Sequence, residues 1–463
     1  ALPICYAFLA AVIASQILLS GTAAVSVSAD GDGIGEAYTA PESPSVTYNM
    51  NLDWKFFDTA KHGADGKKDI WNNLAAADKD GKKFYEVGYD DSDWETVSIP
   101  HGIGGGTNSF ANANTDAGGG YRSVLLYRKT FTVPSGADKV FFELEGIRQC
   151  AYVWVNGQKV GYYEAGITAM GFDISKYVEP GKTAVIAILN DGRTARGSYD
   201  RIPNETVPGE EWGSSYSTNN YKEYYGTGAA YEWNTKDFNE PQIGLVYDAY
   251  LHVKGDVYQT LPLYNNLKTT GNYIYADSFD IKAKTATIHV DAEIRNESAN
   301  TNDYTLEVAV VDMDGKLKYN FESEAVTVTK ADDAGVVYET AVESDVYSQD
   351  KLTNYTGVTN VITPDVTYIK ASYEASDMRF WTTDDPYLYT VYTILKDGDG
   401  SVVDVQKKDT GFRKITYDAN QGILINDKAV WMPGYAQRST NEWAVIGTAT
   451  DWLEDYDMAL LKE

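Results

Sequence analysis

AYVWVNGQKVGYYE, residues 151–164, carries the clearest local signal in the chain. Val153 and Val155 alternate around Trp154, a two-residue period that puts the valines on one face of a strand. Asn156-Gly157 then supplies the two positive-φ positions of a type I′ turn, and a second strand returns from Gln158. Outward from this hairpin, VLLYRKTFTVP (124–134) and KVFFELEGI (139–147) read as strands ended by Pro134 and Gly146. FDISKYVEPGKTAVIAIL (172–189) and VYDAYLHVKG (246–255) continue the series. Nothing between Asn51 and Gly255 sustains a helical period, so residues 46–257 are expected to form one jelly-roll β-sandwich.

Residues 265–415 repeat the β rhythm. TATIHVDAEIRNES, YTLEVAVVDMDGKLKY and VYTILKDGDGSVVDVQKKDTG alternate between apolar and polar, with Asp-Gly turns expected at Asp314-Gly315 and Asp397-Gly398. Their size and spacing suggest an immunoglobulin-like sandwich, although no Cys…Trp…Cys pattern marks it. The Asp-rich turns also invite a calcium reading, but Asp397-Gly-Asp-Gly lacks the distal Glu of a calcium loop. Between the strands of the first unit, residues 191–240 are rich in Tyr, Asn, Gly and Ser. Such a stretch suits either a sugar-facing loop or a packing lid.

The last segment changes character. GILINDKAVWMPGYA (422–436) reads as a hairpin and a strand-like run, and TDWLEDYDMALLKE (450–463) turns helical. Asp451 with Glu454 three residues on forms a capping-box pattern, and Trp452, Leu453, Tyr456, Ala459 and Leu460 line one stripe. A strand followed by its helix is the unit of an α/β barrel, of which eight are needed. Residues 420–463 are therefore expected to be the start of a truncated (β/α)8 barrel, in a chain that is mostly β.

Composition narrows the function. The net charge is −28 over 463 residues, with no basic run. Such a field repels phosphate backbones and anionic lipid heads, so nucleic acid and membrane-surface partners are excluded. A neutral glycan is not repelled. Residues 1–29 hold an apolar run, Ile4 to Leu19, followed by small residues, which is the form of a signal peptide. The protein is therefore expected to be exported, with a Gly/Pro/Ser linker over 30–45 and no membrane contact beyond the signal segment. Cys5 and Cys150 make no disulfide framework, and Cys150 beside its strand reads as a buried small hydrophobe. His62, His101, His252 and His289 show no metal-ligand spacing, so neither a metal nor a cofactor is expected.

Several segments together resemble glycoside hydrolase family 2, the family of β-galactosidases, β-glucuronidases and β-mannosidases. They are DDSDWETVSIPH (90–101), GGGYRSVLLYRKTFTVP (118–134), the hairpin with GITAMGFDISKYVEPGK behind it, and IGLVYDAYLHV (243–253). Trp381, Asp385-Pro-Tyr-Leu-Tyr389 and GFRKI (411–415) resemble the end of that family's immunoglobulin-like domain, and GILINDKAVWMPGY the approach to its catalytic barrel. Two departures stand out. Tyr247 rather than Arg precedes Asp248, and Gln437-Arg438-Ser439 replaces the family's Asn-Arg-His.

The resemblance implies a first domain of sugar-binding type and retaining hydrolysis of terminal β-glycosides, β-galactosidase-like, by two Glu residues on later barrel strands. Two carboxyls must converge on one bond for this chemistry. Glu210-Glu211 and Asp384-Asp385 are sequence neighbours and do not fit, so no catalytic residue is assigned and the chain alone is expected to be inactive. By analogy with the family, Arg438 is the first candidate for substrate contact, against a plain ion pair at the barrel's base. Asp237 is the second, against a turn aspartate. His101, beside Pro100 at a strand end, reads as structural. The competing reading is a non-catalytic carbohydrate-binding or adhesion protein built of sandwiches.

Overall fold

The computed structural model describes residues 33–59, 78–103, 124–148, 150–163, 168–191, 243–332, 365–432, 434 and 451–463. In chain order the first unit has β1 (Val46–Asn49), β2 (Trp54–Asp58), β3 (Glu95–Val97), β4 (His101–Ile103) and β5 (Val124–Thr132). It continues with β6 (Lys139–Leu144), β7 (Ile147–Arg148), β8 (Cys150–Val155), β9 (Gln158–Tyr163) and β10 (Met170–Asp173). Then come β11 (Thr183–Asp191), β12 (Ile243–Leu245) and β13 (Ala249–Lys254). The β8–β9 hairpin turns through Asn156 at φ 50° and Gly157 at φ 82°, the signs that a type I′ turn requires.

Every strand pairing among the described residues is antiparallel. A four-stranded sheet, β1-β13-β6-β10, faces a six-stranded one, β3-β2-β5-β11-β8-β9, and the short β4-β12-β7 sheet bridges one end. Alternation explains the core between them. Val140, Phe142 and Leu144 of β6 point inward with Trp54, Tyr127, Val153, Phe172 and Ile188. The six-stranded sheet is apolar on its outer face as well. There Leu126, Trp154, Ala187 and Leu189 are covered by Phe84 and Trp94 from the 78–95 segment. Trp154 is thus buried on the face opposite its valine neighbours.

The second unit has β14 (Val257–Gln259), β15 (Tyr273–Asp280), β16 (Thr285–Asn296), β17 (Asn302–Val311) and β18 (Leu317–Glu322). It is completed by β19 (Val326–Val328), β20 (Thr367–Ala375), β21 (Tyr389–Asp397) and β22 (Val402–Thr410). β16 carries β20 on one edge and β14 and β15 in succession on the other. The facing sheet runs β18-β17-β21-β22, with β19 continuing beside β17. Ile288, Val290, Leu306, Val308, Val391 and Leu395 fill the space between as an immunoglobulin-like core.

The turns correct one detail. Asp312 Oδ1 accepts the amides of Asp314 and Lys316 at 2.9 Å each, and Gly315 sits at φ 78°. Asp397 Oδ1 does the same for Asp399 and Ser401, but there Gly400 (φ 81°), not Gly398, carries the positive φ. The reason is a five-residue turn, in which the side chain of the first Asp gathers the inner amides and the fourth position takes the left-handed backbone.

Two further differences appear at the ends of this region. Residues 33–45, read from sequence as a linker, lie against the second sandwich: Leu317 donates its amide to Glu36 O at 2.9 Å and Tyr38 donates to Gly315 O at 2.9 Å. Beyond the second sandwich, β23 (Ile415–Asp418), β24 (Gly422–Ile425) and β25 (Lys428–Ala429) form a small antiparallel sheet. Helix α1 (Asp451–Lys462) follows, starting at Asp451 itself, with Trp452 and Leu460 exposed. No barrel is present among the described residues, because a parallel closed sheet needs strands that these residues do not supply.

Candidate functional site

Arg438 and Asp237 both lie outside the described residues, as do Glu210, Glu211, His62 and the polar 192–242 stretch. The side chain of Cys150 does too. Asp384 and Asp385 are described, and they diverge. Asp385 takes a two-pronged ion pair from Arg379, Nε and Nη2 at 2.7 Å each, and this guanidinium holds its carboxyl below the usual carboxylate range. Asp384 instead faces Lys428 Nζ at 3.6 Å. His101 shares a 2.9 Å hydrogen bond with the Tyr127 hydroxyl and packs its ring on Phe56 at 4.5 Å. These contacts tie β4 to β5 and β2.

A cavity of about 850 Å³ opens where the end of the second sandwich meets the β23–β25 sheet. Arg379, Asp377, Lys318, Tyr387, Asn426 and Trp431 contribute to its wall. Lys318 Nζ lies 2.7 Å from Asp377 Oδ2, and that hydrogen bond lowers the Asp377 pKa. A retaining glycosidase needs one carboxyl that stays protonated and a second that attacks. Asp377 and Asp385 both move the other way, each held low by its cationic partner. Trp431 in the cavity wall is 87% exposed, and Tyr417 of the adjoining β23–β25 sheet is 80% exposed, as expected of a surface that packs against protein.

The arrangement that sequence reading missed is the polar layer between the two sandwiches. Lys254 at the end of β13 meets Asp404 of β22 at 3.0 Å, with both side chains almost fully buried. Asp404 Oδ2 also accepts the Gln259 amide, and Gln259, Asn272, Thr393 and Gln406 complete a hydrogen-bonded net. Beside it Lys139 pairs with Asp173 at 2.6 Å and Glu297 at 2.8 Å. Among the described residues no His, Cys, Asp and Glu group has the makings of a metal site.

The family model "Glycosyl hydrolases family 2, sugar binding domain" matches residues 84–197, and "Glycosyl hydrolases family 2" matches residues 273–413. A β-glucuronidase of Formosa agariphila is 28% identical over 430 residues, 91% of this chain and 35% of that protein. A β-galactosidase of Halalkalibacterium halodurans is 23% identical over 392 residues, 81% of this chain and 30% of that protein. Among solved structures, a β-glucuronidase from glycoside hydrolase family 2 superposes with a TM-score of 0.64 at 25% identity, over 90% of this chain and 36% of that one. The chain thus spans about a third of the length of the relatives it matches.

Proposed function

This chain belongs to glycosyl hydrolase family 2, and from that membership we propose that it supports the active site of an exported β-glycosidase while holding neither catalytic carboxyl. The observation that carries this reading is the ordered pair of family matches, at 84–197 and 273–413, on a fold in which the neighbouring acids Asp384 and Asp385 are spent on separate cations. In retaining hydrolysis one carboxyl protonates the leaving oxygen while a second attacks the anomeric carbon. Water then releases the glycosyl-enzyme as the first group takes back a proton. The two groups must stand about 5–5.5 Å apart across the bond. We place both on Glu residues of a barrel beyond this chain, with Arg438 framing the sugar and Asp237 a weaker acceptor for a hydroxyl.

The substrate class is a terminal β-glycoside, with β-galactosides and β-glucuronides as the two candidates that the relatives' names suggest. Export follows from the residue 1–29 pattern. The test is direct. The 463-residue chain is expected to give no turnover of nitrophenyl β-galactoside or β-glucuronide. The longer protein should release one of them, with NMR of the first-formed sugar showing the β anomer. Turnover by the 463-residue chain itself would overturn the placement of the carboxyls.

A further inference from the structure

Residues 33–45 show no regular period, yet they run across the outer face of the second sandwich. Gly35 donates to Leu317 O at 2.7 Å, Leu317 donates to Glu36 O at 2.9 Å and Tyr38 donates to Gly315 O at 2.9 Å. The first contacts are therefore at the β18 edge. The Tyr38 ring then packs on Tyr392, centroids 5.4 Å apart, above Ala309, Val311 and Leu317. At the opposite edge of the same sheet the Val405 amide donates to Ser43 Oγ at 3.1 Å. One residue after Ser45 the chain enters β1 of the first sandwich.

The position of Ser43 is informative. Asp404, Val405 and Gln406 are consecutive in β22, and each is pinned to something different: Lys254, Ser43 and the Gln259 carbonyl. Between two domains joined by a short connection, here Lys254 to Val257, and by a polar layer, small changes of angle are the default expectation. A second attachment removes that freedom only if it is itself anchored. We propose that Gly33–Ser45 is a belt that fixes the angle between the two sandwiches, with Tyr38 as its buckle. Its apolar seat supports a built role: Ala309 and Val311 lie on the outward face of β17, where an unbelted sheet would show water polar side chains.

The Leu317 amide reports on the belt, since its bond to Glu36 O depends on the belt being seated. In the full 463-residue chain, Y38A is expected to speed hydrogen exchange at that amide by at least ~10-fold, an opening that core amides of β17 do not share. Nitroxides at Glu179 and Asp314, both exposed, with the native cysteines replaced, should then show a broadened distance distribution. Y38F should change neither readout. G35P is the second variant, for it removes the donor to Leu317 O and cannot adopt the φ of 86° found at Gly35. It touches only an exposed residue, so it serves if Y38A does not fold. Faster Leu317 exchange with an unchanged distance distribution would overturn the belt. So would unchanged exchange in both variants.

Discussion

Gly244 shows how much one residue can decide. It sits at φ 145° in β12, and a Cβ there would lie 2.2 Å from the His101 carbonyl oxygen and 2.5 Å from Gly102 Cα. Both are backbone atoms of β4 and cannot swing aside. G244A is therefore expected to cost more than about 2 kcal/mol and to separate β4 from β12, measured by urea unfolding. Nothing in IGLVYD marks that glycine as special, because the close approach comes from a strand 140 residues earlier in the chain. Glu297 gives the pH-dependent case. Burial works to raise its pKa, but Lys139, by charge and hydrogen bond, and then Arg295 hold it below the ordinary carboxylate value. A carboxyl depressed in the folded state contributes stability above its unfolded pKa and loses it as pH falls through the folded one. Unfolding free energy should accordingly fall more steeply on acidification below about pH 5 in the native protein than in E297Q. Parallel slopes would show that Glu297 is not linked to folding.

Elements were the scale at which sequence was most readable. The β8–β9 hairpin, β5, β6 and the strands around Asp312–Lys316 follow from alternation and turn chemistry, both local properties of the chain. Misplacing the second Asp-Gly turn by two residues has a local cause as well. Asp397-Gly-Asp-Gly offers two glycines, and the choice depends on which register lets Asp397 Oδ1 collect two amides. The 33–45 segment reads as a linker because Gly, Pro and Ser without period carry no signal of docking. Its seat is assembled from β17, β18 and β21, none of which is near it in sequence. Of the candidate sugar contacts, Arg438 and Asp237, the structure describes neither. What it adds is that Asp377 and Asp385 near the cavity pair with Lys318 and Arg379.

Across the whole molecule, the buried Lys254–Asp404 pair predicts cooperativity. Removing one partner of such a pair leaves a desolvated charge and costs about 3–5 kcal/mol, whereas replacing both with apolar groups costs far less. Scanning calorimetry should show one transition for the native chain, a split or lowered transition for D404A, and partial recovery in the K254M/D404L double variant. Equal losses in single and double variants would mean the pair does not couple the sandwiches. Residue order alone established a mostly β chain, two successive sandwiches and the kinship with glycosidases. These rest on side-chain period, turn residues and motif order, which are written along the chain. The buried ionic seam and the belt that the sandwiches share come from folding. Lys254 and Asp404 are 150 positions apart, and contacts at that separation exist only once the chain has folded.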